Sequence, residues 1–144
     1  MARAWQLTFD CADPAALSAF WAETLGYVLQ PPPDGYDDGP SFLEAMDVPV
    51  EDHDSASAIV DPAGSGHRIY FQRVPEEKSV KNSLHADVPV SGGPQVPLER
   101  RVPLQDEERD RLVALGASQV GPVHEQGSHW IVMQDPEGNE LCIT

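Results

Sequence analysis

Two short signatures occur twice in this chain and in the same order. A stretch with helical spacing ends in Leu-Gly at Leu25-Gly26 and again at Leu115-Gly116. Each is followed by an Asp-Pro-x-Gly turn, at Asp61-Pro62-Ala63-Gly64 and at Asp135-Pro136-Glu137-Gly138. Either signature alone is a common helix stop or a common turn; both of them, repeated in order, point to a duplicated supersecondary unit. The interval from Gly26 to Asp61 is longer than that from Gly116 to Asp135, and the Pro-rich, acidic loop of the first half explains the excess as an insertion. At 144 residues and 40% hydrophobic content the chain can bury one ordinary core, so the two units are expected to share a single domain, 1–144. Module one is expected at about residues 4–74, a linker at about 75–82 and module two at about 83–144.

The elements follow from periodicity. Trp5, Leu7, Phe9 and Cys11 alternate with Gln6, Thr8 and Asp10, the period of a strand with one face in a core. Asp13 before Pro14 reads as a helix N-cap with proline in the first turn, and Leu17, Phe20, Trp21 and Leu25 recur at helical spacing up to Gly26. Residues 27–30 read as a short strand, 31–40 as a loop, 41–46 as a short helix, and 56–60 and 67–73 as strands. The second half repeats this: a strand over 84–88, a helix over 104–115 with Asp106, Glu107 and Glu108 near its positive end, and strands over 119–123, 128–134 and 140–144. The class expected is α+β, with two related modules that each run strand, helix and three strands.

Composition removes several functions. Nine Lys and Arg against 24 Asp and Glu give a net charge of −15, with no basic stripe, which argues against nucleic acid and anionic membrane surfaces as partners. No apolar run reaches the roughly 20 residues of a membrane span, and residues 1–5 lack the pattern of a secretory signal, so a cytoplasmic location is expected. Two cysteines, Cys11 and Cys142, make neither a disulfide framework nor a structural zinc motif. There is no phosphate-binding glycine loop and no Cys-x-x-Cys pair.

Beyond these physical readings, the chain resembles the vicinal oxygen chelate superfamily, specifically its glyoxalase-like group (the glyoxalase, bleomycin resistance and dioxygenase type). The resemblance is carried by residues 7–20, by Val74-Pro75-Glu76 followed by Asn82-Ser83-Leu84-His85, by the helix end at residues 111–117, and by residues 135–142. It implies two βαβββ modules forming a curved mixed sheet around a cleft with helices outside, a small-molecule ligand held in that cleft, and a homodimer. Metal-using members place ligands on the first and last strand of each unit, and matching the strands and turns puts Gln6, Tyr70, His85 and Cys142 at those positions. Strand alternation points the same four side chains away from the helix-covering residues. The two carboxylates expected on the closing strands are replaced by tyrosine and cysteine, which departs from the metal-lyase pattern.

Two functions from different classes therefore stand side by side. In the first, a divalent metal (zinc, nickel, iron or manganese) held by His85, Gln6 and Glu140 serves a lyase, an isomerase or a dioxygenase acting on a small oxygenated metabolite, with Glu140 and Tyr70 as catalytic candidates. In the second, equally open, there is no metal and the protein sequesters a ligand, as antibiotic-resistance members do. Ligand-binding candidates for either are Gln6, Thr8, Tyr70, His85, Asp87, Trp130 and Cys142. Trp130 either stacks on a ligand or packs in the core, and Cys142 reads as a small buried hydrophobe more readily than as a nucleophile. His124 and His129 flank the turn at residues 125–127 and read as solvent-exposed loop histidines, while His53 and His67 carry no pattern.

Overall fold

The computed structural model of the chain describes residues 4–125 and 127–144. The first three residues of the N-terminal segment read above, and Gln126 of the turn between the two histidines, lie outside the described residues. The chain divides into two compact units, Met1–Glu77 and Lys78–Thr144.

The first unit runs β1 (Leu7–Cys11), α1 (Pro14–Leu25), β2 (Val28–Leu29), α2 (Gly39–Ala45), β3 (Ala56–Val60) and β4 (Ile69–Arg73), with a single 3-10 turn at Val50–Asp52. The second runs β5 (Ala86–Val88), α3 (Leu98–Ala114), β6 (Ser118–Glu125), β7 (Ser128–Gln134) and β8 (Glu140–Ile143). The strand orders are β1-β4-β3-β2 and β5-β8-β7-β6, so corresponding strands occupy corresponding places in two four-stranded sheets. In each sheet the first strand pairs in parallel with the last, and the remaining pairings are antiparallel. This is the expected α+β duplication, and the insertion between β2 and β3 carries α2 and the 3-10 turn.

The repeated signatures do what their chemistry requires. Gly26 and Gly116 stop the two long helices with φ of 69° and 107°, a region that L side chains enter at a cost. In each Asp-Pro turn the aspartate accepts from backbone amides that the bend leaves without partners. Asp61 takes Ala63, Ser65 and Gly66; Asp135 takes Glu137 and Asn139. The Asp13 side chain accepts from the Ala16 amide at 3.0 Å and caps α1, whose Leu17, Phe20 and Trp21 are buried against β3 and β4. In the second unit Leu112 of α3 is buried with Ile131, Met133, Leu141 and Ile143 from the facing strands.

Several boundaries differ from the sequence expectations. Trp5 and Gln6 precede β1 and are exposed, because the partner strand begins only at Ile69, opposite Leu7. Leu84 and His85 precede β5 for the same reason, since its ladder with β8 starts at Ala86 opposite Leu141. The helix α2 starts at Gly39, two residues early, with Asp38 capping it through the Ser41 amide. The larger correction concerns α3, which begins at Leu98 and runs through Pro103 rather than starting after it. Proline there removes one ladder bond, to the Glu99 carbonyl, without stopping the helix. Asp106 and Glu108 consequently lie in its middle, where they pair with Arg109 and Arg111 one turn on, and the first-turn acid is Glu99. Among the described residues no helix is long and apolar enough to cross a membrane.

Candidate functional site

The candidate site is on the face of the second sheet turned away from α3. Alternation sorts each strand: Leu141 and Ile143 of β8 and Ile131 and Met133 of β7 enter the helix-covered core, while Glu140 and Cys142, with Trp130, Val132 and Gln134, take the other face. Register then fixes neighbours. Cys142 is opposite Asp87 on one side and Val132 on the other, and Glu140 is opposite Gln134. His85, two residues before Asp87, falls on the same face by period two.

All of the side chains just placed on this face except Gln134 line a concave pocket of about 440 Å³, with Trp130, Val132 and Thr144 as its wall and Lys81 and Glu140 among its polar lining. On it His85, Asp87 and Cys142 converge: one ligating atom from each lies within 4.8 Å of the others, and His85 Nε2 is 3.5 Å from Asp87 Oδ1. Cys142 is buried, whereas His85 and Asp87 are exposed and reach the cluster from the pocket mouth. Burial pushes the Cys142 thiol up, and the neighbouring Asp87 carboxylate pushes it further.

Glu140 has other commitments. Its Oε2 accepts from the Asn82 amide at 2.9 Å and is 3.5 Å from Lys78 Nζ, while Oε1 is 3.5 Å from Gln134 Nε2. The Asn82 N–H, with smaller help from Lys78 and Gln134, holds its carboxyl below the ordinary glutamate range. The carboxylate thereby pins the segment that leads into β5.

The first unit gathers the other named residues on its own helix-free face. Thr8 is in register with Tyr70, and Asp10 with Gln72, whose Nε2 donates to Asp10 Oδ1 at 2.8 Å. Gln6 lies just ahead of β1 with its Oε1 accepting from Arg68 Nη1 at 2.7 Å, and the Arg68 guanidinium sits 5.0 Å from the centre of the Tyr70 ring.

Within the second unit the structure therefore brings together His85, Asp87, Trp130, Glu140 and Cys142, and within the first Gln6, Thr8 and Tyr70. Lys81, Val132 and Thr144 escaped the sequence reading, although extending the alternation from Trp130 and Cys142 by two residues reaches the last two. The histidine pair is corrected in part. His124 is exposed and faces His129 across the β6–β7 hairpin with ring centres 4.4 Å apart, but His129 is only 4% exposed. Its Nδ1 bonds to Oε1 of the fully buried Gln105 of α3, whose Nε2 donates to the His129 carbonyl and to Ser91 Oγ. His53 bonds the Val48 carbonyl and His67 packs at a tilt against the Trp5 ring.

A family model described as a glyoxalase-like domain matches residues 6–144. The chain belongs to that family. Solved structures of similar fold include a protein described as of the glyoxalase, bleomycin resistance protein and dioxygenase family. A possible glyoxalase from Bacillus cereus is 15% identical, with 100% of this chain and 99% of that one covered and a TM-score of 0.59. A mutant of the fosfomycin resistance protein FosX from Listeria monocytogenes, complexed with Mn(II) and 1S,2S-dihydroxypropylphosphonic acid, is 12% identical, with 99% and 89% covered and a TM-score of 0.62. A family enzyme from Burkholderia phytofirmans is 17% identical, with 96% and 94% covered and a TM-score of 0.59. At these identities the likeness is one of fold. No curated protein sequence matches the chain.

Proposed function

We propose that this glyoxalase-like protein binds a small oxygenated molecule on the helix-free face of its second sheet, beside a divalent metal held by His85, Asp87 and Cys142. The observation that carries the reading is the convergence of imidazole, carboxylate and thiol within 4.8 Å of one another in the pocket. The donor set fits a metal: bonds of about 2.0–2.3 Å in a tetrahedral site put ligand atoms roughly 3.3–3.8 Å apart, so the 3.5 Å between His85 and Asp87 is already an edge of such a site. The exposed His85 and Asp87 side chains are free to close the remaining distance onto the fixed Cys142. A thiolate among the ligands favours zinc over manganese, and three protein ligands leave a position for a ligand oxygen.

A metal bound there would supply Lewis-acid polarisation of that oxygen. The chain's own residues supply the rest. Trp130 and Val132 offer an apolar wall that excludes water from the ligand's carbon skeleton, and Trp130 presents a ring face or edge for stacking. Glu140 keeps the entry to β5 in place. Lyase or isomerase chemistry on a small oxygenated metabolite is the activity assigned, in a cytoplasmic protein that size-exclusion chromatography with light scattering is expected to show as a homodimer.

Titration of the purified, untagged protein with zinc and with cobalt tests the reading. Expected are one metal per chain, a near-ultraviolet thiolate-to-cobalt charge-transfer band that Cys142→Ser removes, and loss of binding in His85→Ala. If micromolar metal does not bind, or binds regardless of these substitutions, the metal reading fails. The second reading, a metal-free sequestering protein, is favoured by one observation, the aromatic and aliphatic wall of Trp130 and Val132, and would be pursued through thermal shifts with aromatic and amphipathic ligands.

A further inference from the structure

The first unit carries a cation held by neutral groups, where four of the chain's other basic side chains are held by carboxylates. Arg73 pairs with Asp54, Lys78 with Glu140, Arg109 with Asp106 and Asp110, and Arg111 with Glu108. In a chain of net charge −15 such pairing is the cheapest fate for a basic side chain. Arg68 is held instead by two neutral amides: Nε donates to Gln30 Oε1 at 2.6 Å and Nη1 to Gln6 Oε1 at 2.7 Å. Among the described residues no carboxylate oxygen is within ion-pair distance of it. Two short bonds on different edges, with the guanidinium 5.0 Å from the Tyr70 ring centre, fix its plane and direction while leaving its charge uncompensated.

A guanidinium has five N–H donors, of which these bonds use two, so both hydrogens of Nη2 and one of Nη1 remain. The side chain is half-buried, on the face turned away from α1, and the hydroxyls of Tyr70 and Thr8 follow it two residues along the paired strands. The acid on this face, Asp10, is four residues beyond Gln6, about 13 Å at 3.3 Å per strand residue, and is occupied by Gln72. At physiological ionic strength that separation exceeds the screening length of about 8 Å, so Asp10 does not cancel the charge at Arg68.

We infer that Arg68, aimed by Gln6 and Gln30, is a recognition site for a small-molecule oxyanion, a carboxylate or a phosphate or phosphonate group, with Tyr70 and Thr8 as flanking hydroxyl donors. Planar, paired N–H donors match both oxyanion types, and neutral amide partners orient the fork without competing for its charge. The amide clamps also mean that the ordering is complete before a ligand arrives, which lowers the entropy cost of binding. This inference goes beyond the metal reading and stands or falls separately from it.

The test is a titration of the full chain with inorganic phosphate and, separately, with acetate, followed by two-dimensional amide NMR. Saturable shifts are expected at residues 6–8, 30 and 68–70, with Arg68→Gln weakening the better anion about tenfold or more and leaving zinc stoichiometry unchanged. Whichever anion saturates at lower concentration identifies the ligand's acidic group. The Gln6→Ala, Gln30→Ala double variant keeps the charge but frees the fork, and a loss of several-fold is expected. Shifts scattered over all basic residues, or equal affinity in Arg68→Gln, would overturn the inference. Should Arg68→Gln lose its folded spectrum, Arg68→Lys is decisive: several-fold weaker binding supports a positioned fork, and unchanged binding refutes it.

Discussion

Two single residues in the second unit both lose what they contribute as pH falls, His129 in a higher window than Glu140. Burial, then the nearby His124, lowers the affinity of His129 for a proton, with Asp106 and Arg101 of α3 acting in opposite directions on it. The native state therefore prefers the neutral ring, whereas the unfolded chain takes up a proton near the ordinary pKa of about 6.5. With more protons on the unfolded state, stability is whole above that pH and falls as pH drops through the window down to the lowered native value. His129→Asn puts an amide where Nδ1 meets Gln105 and removes the titration. Urea unfolding from about pH 7.5 to about pH 5.5 should slope downward in the wild type and be flatter in the variant; parallel slopes would show that His129 is not the group responsible. Glu140 works at lower pH. Its carboxyl is held below the ordinary range, so what it contributes is present above the unfolded glutamate pKa and disappears as acid protonates it. Removing the acceptor in Glu140→Ala should cost about 1–2 kcal/mol and speed hydrogen exchange at the Asn82 amide, the donor that loses its partner.

At the scale of elements, the two Leu-Gly stops give a prediction that isolates backbone strain. A Cβ built on Gly26 meets nothing within 4 Å, so Gly26→Ala should cost only the left-handed conformation, about 1 kcal/mol in a thermal or urea melt. A much larger loss would mean that the cap also packs. These stops, the Asp-Pro turns and the period-two strands were legible because their causes are local: a positive φ, an amide needing an acceptor, a face needing a core. What depended on a distant partner was not. The start of β1 is set by where β4 begins, and that of β5 by β8, across crossovers that periodicity does not register. Pro103 resembled a helix boundary because the packing of α3 against β7, which carries the helix past the missing bond, lies outside the local sequence. Gln105 and His129 were invisible for a related reason, since a polar pair buried by bonding to each other has no hydrophobic signature. For the site, alternation assigned His85, Asp87, Glu140 and Cys142 to one face, but only the parallel register put Asp87 beside Cys142 and left Glu140 tied to Asn82.

For the molecule as a whole, 24 acidic against nine basic residues set the balance between folded and unfolded chain. Folding brings fifteen net negative charges into a smaller volume, and their mutual repulsion opposes compaction. The ion pairs between Arg73 and Asp54 and between Arg111 and Glu108 work the other way, but the first is exposed on both sides and the second on its arginine side, and surface pairs contribute at most about 1 kcal/mol each. Repulsion accumulates over every acidic pair within a screening length, which shrinks from about 30 Å at 0.01 M salt to about 10 Å at 0.1 M. Screening should therefore remove more repulsion than attraction, and the melting temperature should rise with sodium chloride over that range at neutral pH. The steepest gain is expected at the low end, where the screening length changes most. Divalent cations complicate the measurement only through the second unit's cluster, so the curve should be repeated with Cys142→Ser. If the wild type and the variant both lost stability with salt, the ion pairs would outweigh the net charge, and the acidity would have to be understood as paired rather than repulsive.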